Sequence, residues 1–210
     1  GKTGSGKSSL LKTLYAELPL TEGTGSVCGF ELKGLKRKQI PFLRRKIGIV
    51  FQDFQLLTDR NVLDNLKFVL GATGWSDKKL IEQRAMNCLQ LVGIEKKAKD
   101  FPHQLSGGEQ QRVSIARAII KDAEILLLDD CLSAVDTETE ESILQNLLEI
   151  SNNKTTIIVS HRVSSAKNAD KIIILENGEI HQEGTHNQLI NQEGYYKELY
   201  YKQLSEKEIL

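Results

Sequence analysis

The chain has 210 residues, 28 Lys and Arg against 28 Asp and Glu, 40% hydrophobic and 27% charged residues, which suits one domain or a domain with an inserted subdomain. Balanced charge gives no electrostatic reason for nucleic acid as the main partner, and the longest apolar runs, such as residues 125–128 and 172–175, fall far short of the ~20 residues that cross a bilayer. Cys28, Cys88 and Cys131 are scattered, odd in number and without metal-ligand spacing, which points to a reducing compartment and to small core residues.

The first residues, Gly1-Lys2-Thr3-Gly4-Ser5-Gly6-Lys7-Ser8, fit the pattern G-x-x-x-x-G-K-[ST]. Glycines let successive backbone N–H groups turn inward around phosphate oxygens. The lysine then reaches the β- and γ-phosphates, and the hydroxyl of Ser8 is placed to bind Mg²⁺. A helix that follows directs its N-terminal dipole at the same anion. The chain opens on Gly1 with no Met and no apolar leader, and the buried strand that normally leads into this motif does not precede it. The sequence therefore reads as a piece of a longer chain.

In chain order, a helix is expected over 8–18, ending before Pro19. A short antiparallel strand follows within 23–30. Residues 36–46 read as basic and solvated, and 46–51 as a buried strand. Val62, Leu63, Leu66, Val69 and Leu70 recur at helical spacing, as do Leu80, Ile81, Met86, Leu89 and Val92 after a start at Ser76-Asp77. Residues 59–105 thus look like a helical insertion. From Ser106 the pattern alternates: helix 106–121, strand 125–129, helix 137–150, strand 155–160, a short helix, strand 171–175. Such alternation predicts a parallel sheet with helices on both faces. Asn177-Gly178 marks a hairpin that joins 171–176 to 179–183, and 185–208 read as terminal helices.

Two further stretches carry chemistry. The apolar run 125–128 ends in Asp129 and Asp130. A buried parallel strand delivers its last residues to the carboxyl edge of the sheet, where ligands bind, so Asp129 can hold Mg²⁺ and Asp130 can face an attacking water. Leu105-Ser106-Gly107-Gly108-Glu109-Gln110-Gln111-Arg112 opens a helix as a second phosphate-binding N-terminus. Plain capping by Ser106 is the alternative for a bare Ser-Gly-Gly start.

That octet, with the loop of residues 1–8 and the acidic strand end, resembles the signature set of ATP-binding cassette (ABC) ATPases over essentially the whole chain. The resemblance implies a P-loop α/β core at 1–58 and 106–184 with a mostly parallel sheet and antiparallel additions, the helical subdomain at 59–105, and C-terminal helices at 185–210. It implies that Gly1, Lys2, Thr3, Gly4, Ser5, Gly6, Lys7, Ser8 and Ser9 bind ATP. Ser106, Gly107, Gly108 and Glu109 would serve ATP held by a second ATPase domain, identical or not. Ser8, Gln52 and Asp129 would organise Mg²⁺, Asp130 would be the general base, and His161 the γ-phosphate sensor. Ser133-Ala134-Val135-Asp136 resembles the loop that communicates across the dimer. His103, His181 and His186 gain no role from the motifs and are expected at the surface.

The implied function is ATP binding and hydrolysis that powers a membrane transporter from the cytoplasmic face, docked on a transmembrane subunit or domain. A non-transport membrane ATPase acting on cell division or cell-wall hydrolases is the alternative. Residues 1 to about 121 resemble the cell-division and lipoprotein-release class, through the runs 51–57 and 101–109. Residues from about 122 resemble exporter ATPase domains, through 128–136 and 160–165. A joined chain, with its seam near 119–125, is one reading of that difference. The family's catalytic glutamate is replaced by Asp130, which the resemblance ties to slow hydrolysis. The aromatic residue that stacks on adenine in this family precedes the phosphate loop and lies outside this sequence.

Overall fold

A computed structural model describes residues 1–130 and 154–208. The expected helix 137–150, the loop Ser133-Ala134-Val135-Asp136 and Cys131 lie outside the described residues. Strands β3 (Ile47–Val50), β4 (Ile125–Asp129) and β5 (Thr155–Val159) form a parallel sheet in that order. Val50 pairs with Leu128 and Asp129 with Val159. The β4 run is apolar without alternation because both of its faces are covered. Leu127 packs with Leu11 and Tyr15 of the α1 region and with Leu43 and Ile47. Leu126 and Leu128 point the other way, into a core shared with helices α3 (Val62–Ala72), α4 (Lys78–Leu91) and α5 (Gly107–Ile119). All three leucines are fully buried, so truncating any of them to alanine costs about 2–5 kcal/mol.

α5 lies close against β3. A Cβ on Gly48 would stand 2.4 Å from the carbonyl oxygen of Ala118 and 2.6 Å from Leu126, so this strand position admits only glycine.

Helix α1 spans Lys7–Leu14, shorter than the expected 8–18. Tyr15 leaves the helix and Ala16 takes φ 57°. Arg44 fixes this end, donating through Nε to the Tyr15 carbonyl at 3.0 Å. The stretch read as merely basic and solvated contains helix α2 (Ile40–Arg45), with Pro41 in its first turn and Leu43 fully buried. The short strand expected in 23–30 is a hairpin of β1 (Ser26–Val27) and β2 (Phe30–Glu31), turning through Cys28 and Gly29 at φ 50° and 79°.

α3 and α4 begin on side-chain caps: Asn61 accepts from the N–H of Asp64, and Asp77 accepts from Lys79 and Leu80. The hairpin expected at Asn177-Gly178 is present: β6 (Ile172–Glu176) pairs antiparallel with β7 (Glu179–Gly184), and among the described residues it has no parallel strand partner. Helices α6 (Val163–Ala166), α7 (His186–Asn191) and α8 (Tyr195–Glu208) complete this end, where Val163, Ile172, Ile174, Leu189 and Tyr196 form a third core. Among the described residues no helix is long and apolar enough to cross a membrane.

Candidate active site

Two left-handed glycines shape the first loop, Gly4 at φ 80° and Gly6 at φ 97°. Gly6 is the N-cap of α1 and offers no side-chain cap, so the first N–H groups of the helix have no capping side chain to bond. The ammonium of Lys7 folds back over the loop and donates to the carbonyls of Gly1 (2.8 Å) and Lys2 (2.6 Å) and to the hydroxyl of Ser5 (3.3 Å). Burial pulls the Lys7 amine below its usual range, and the carboxylates of Asp130 and Asp129 oppose that shift. Thr3 and Ser9 are exposed on the same loop and first turn.

The loop has a support the sequence did not reveal. Gly1 lies so close to β6 that a Cβ there would stand 2.0 Å from the carbonyl oxygen of Leu175. Lys2 pairs with Glu176 at 3.6 Å, and the N–H of Gly178 donates to Ser5 at 3.3 Å. The hairpin turn thus buttresses the loop. Its Asn-Gly pair signalled the turn, but nothing in it signalled the neighbour.

The Ser8 hydroxyl donates to Oδ1 of Asp129 at 3.2 Å. The two acids at the strand end diverge. Asp129 faces Ser8. Asp130 takes φ 45°, donates its own N–H to Val159 at 2.9 Å, and its carboxylate accepts the backbone N–H of His161. Burial pushes the Asp130 carboxyl up, the charge of Asp129 adds to the push, and His161 and Arg162 oppose it. An uncapped helix start, a cationic amine and a hydroxyl–carboxylate pair fit a nucleotide's phosphates with Mg²⁺, the cation meeting hard oxygen ligands.

His161 is exposed at the end of β5. Gln203 of α8 grips this segment from both sides: its amide donates to the His161 carbonyl at 2.9 Å and accepts from the Val163 N–H at 2.8 Å. Sequence reading missed Gln203, since nothing local marks it. Gln52 is exposed in the loop after β3, and among the described residues its side chain bonds to neither Ser8 nor Asp129.

Ser106 caps α5. Its hydroxyl accepts from the Glu109 N–H at 3.3 Å, while the Glu109 carboxylate accepts from the Ser106 N–H at 2.8 Å. Both bonds are local, and Gly107 is exposed with open space around its Cα. Gln111 is fully buried, and among the described residues neither of its amide atoms has a hydrogen-bond partner. His103 and His181 are exposed as expected. His186 is not a free surface residue: its Nδ1 lies 2.8 Å from the Tyr196 hydroxyl, and its ring packs edge-on against Tyr196 and Tyr200.

Comparison with known proteins places these features in a family. The model of the ABC transporter family matches residues 1–133. The chain is similar to the cell division ATP-binding protein FtsE of Streptococcus pneumoniae, 37% identical over 182 residues covering 86% of this chain and 79% of that protein. It is also similar to the probable multidrug resistance ABC transporter ATP-binding/permease protein YheI of Bacillus subtilis, 39% identical over 211 residues, 97% of this chain and 35% of that one. Among solved structures, the dimeric bacterial ABC transporter cassette MJ0796 superposes with a TM-score of 0.83 at 34% identity, covering 93% of this chain and 84% of that one.

Proposed function

The chain belongs to the ABC transporter family, and from that premise we propose that it is the ATP-hydrolysing domain of a membrane transporter, acting as one half of an ATP-driven dimer. Lys7 and the amides of residues 1–9 hold the phosphates of ATP. Ser8 and Asp129, with Gln52, hold Mg²⁺, which when bound neutralises charge on the β- and γ-phosphates. Asp130 accepts the proton of the attacking water, and His161 reads the γ-phosphate. Ser106, Gly107, Gly108 and Glu109 face the nucleotide of a second ATPase domain. The domain works at the cytoplasmic face of the membrane, docked on a transmembrane partner, with α3 and α4 as its helical subdomain.

One observation carries this reading: the Ser8–Asp129 hydrogen bond joins the phosphate loop to the acidic strand end. A cation site needs those two oxygens side by side. Asp130 is one methylene shorter than the family's glutamate, a reach shorter by roughly 1.5 Å, and misplacement by ~1 Å can cost ~10²-fold in rate. Hydrolysis by this chain is therefore slow. Steady-state phosphate release with and without Mg²⁺ tests the reading. It predicts slow, Mg²⁺-dependent turnover that Asp130→Asn reduces further, and Mg²⁺-independent turnover would overturn it.

A second reading, a membrane ATPase that acts in cell division rather than on a solute, rests on the similarity to FtsE over 86% of the chain. Co-purification of the membrane partner separates the two. The ATP chemistry is common to both.

A further inference from the structure

The loop between β3 and α3 carries Gln52 and departs from ordinary backbone. Phe54 and Gln55 take φ 59° and 45° in succession, a left-handed pair that residues other than Gly, Asn and Asp seldom adopt. Local bonds from Phe54 N–H to Phe51 (3.2 Å) and from Gln55 N–H to Asp53 (2.7 Å) tighten the turn. Strain of this kind persists only where surrounding structure holds it.

Here the hold comes from two helices. On α5 the Ser114 hydroxyl donates to the Phe54 carbonyl at 3.2 Å, and the Arg117 guanidinium donates through Nη1 to the Gln55 carbonyl. These residues lie one turn apart on one face of the helix that starts at Ser106. On α3, fully buried Asn65 closes the far end: its Oδ1 accepts the Leu57 N–H at 2.9 Å and its Nδ2 donates to the Leu57 carbonyl at 3.0 Å. Ser114 is 2% exposed, so its hydroxyl and the Asn65 amide sit where polar groups stay only if bonded.

We propose that Ser114 and Arg117, with Asn65, are positioning residues for the ATPase reaction, holding the strained Phe54–Gln55 turn so that Gln52 is presented to the nucleotide and linking that loop to the signature helix. The inference rests on the reading of Gln52 as a residue of the Mg²⁺ site. Arg117 reaches the site only through the loop. Its guanidinium bonds to backbone, so its effect on hydrolysis passes through Gln52.

Two readouts test this on the whole chain. Hydrogen exchange of residues 51–57 without nucleotide reports the hold directly. Arg117→Ala and Ser114→Ala should each speed exchange in that segment by about tenfold, while Arg117→Lys, which keeps a donor, stays close to the parent. The Mg²⁺ concentration for half-maximal ATPase reports function. Gln52→Ala and Arg117→Ala should each raise it several-fold with ATP affinity held within twofold. The double variant should be no worse than Gln52→Ala alone, since one residue acts through the other. Gln55→Gly in the Arg117→Ala background should restore part of the loss, because glycine adopts the left-handed turn unaided. Additive effects of Gln52→Ala and Arg117→Ala, or unchanged exchange in both Arg117→Ala and Ser114→Ala, overturn the inference alone. A parental Mg²⁺ requirement in Gln52→Ala overturns the reading of Gln52, and the inference with it.

Discussion

The hydroxyl of Ser8, in the first turn of α1, donates to Oδ1 of Asp129 at the end of β4, 3.2 Å away and 121 residues later in the chain. Two local decisions produce that contact. Gly6 turns left-handed and starts the helix at Lys7, and strand β4, buried through Leu126, Leu127 and Leu128, brings its carboxyl end to the same edge of the sheet. The neighbouring acid is turned away, since Asp130 leaves the strand at φ 45° and faces the His161 N–H. In the function proposed above, this divergence lets one strand end offer one acid to a cation and another to a proton.

Asp130 makes a prediction about both rate and stability. Asp130→Glu should speed hydrolysis in a dimer-competent protein, yet lose about 1 kcal/mol of stability, because glutamate tolerates a left-handed backbone less well than aspartate. Asp130→Asn has the opposite profile. The carboxyl of Asp130 is held above its usual range in the fold, so the folded state binds more protons than the unfolded one and stability falls as pH rises through that range. The asparagine variant should be the more stable protein at pH 7 and lose its advantage below about pH 4. Denaturant midpoints across pH 3–8 check the stabilities, and phosphate release checks the rates. An unchanged or lower rate in Asp130→Glu contradicts the reading of Asp130 as a shortened base.

The capping role of Ser106 can be separated from the role proposed for it at the dimer. As the cap of α5 it accepts the Glu109 N–H, and loss of such a cap costs about 0.5–2 kcal/mol. Ser106→Arg should lower stability by that amount and also block ATP-driven dimerisation. Ser106→Asp keeps a capping oxygen but sets a negative charge against the partner's γ-phosphate. It should retain stability and lose the dimer. Sedimentation with ATP and with ADP decides: an Asp variant that dimerises normally with ATP would leave Ser106 a structural cap only.

Gln111 is fully buried, and neither amide atom is bonded among the described residues. Leaving such a group unsatisfied costs about 1–3 kcal/mol. Gln111→Leu, close in volume, should raise the unfolding free energy by about 1 kcal/mol. Urea denaturation of both proteins measures the difference, and a destabilised leucine variant would mean that the amide has a partner in solution.

Lys121 sits beside Arg117 and donates to the Arg44 carbonyl at 2.8 Å. Burial, with the charge of Arg117 adding, pushes its amine down to about 8. The folded state then holds fewer protons than the unfolded state from about pH 8 up to the ordinary lysine range, so this residue makes stability rise with pH over that window. Lys121→Met should be more stable than the parent at pH 7, with the gap closing toward pH 10. A constant gap across that range would show that Lys121 stays fully charged.

Periodicity made much of this architecture legible. The run 125–128 announced a strand buried on both faces, and Asp77 announced the start of α4. What stayed hidden depends on distant partners. The end of α1 is set by Arg44 holding the Tyr15 carbonyl, 29 residues away. α2 was masked by its cations, because one buried residue, Leu43, anchors it. The Asn177-Gly178 pair announced the pairing of 172–176 with β7, but not that its turn would lie against the phosphate loop. At the site the motif residues were readable because their spacing is chemical. Gln203, Asn65 and Arg117 were not, because each acts on the backbone of a segment 8 to 62 residues away.

The central claim is that residues 1–8 and Asp129 form one site for ATP with Mg²⁺. Calorimetric titration of ATP, with and without Mg²⁺, into the parent, Lys7→Ala and Asp129→Asn tests it most directly. Removing the Lys7 charge should weaken ATP binding by more than tenfold, or more than about 1.4 kcal/mol. Asp129→Asn should leave Mg²⁺-free binding intact and abolish the gain that Mg²⁺ brings to the parent. Unchanged affinity in Lys7→Ala, or a full Mg²⁺ gain in Asp129→Asn, would contradict the account.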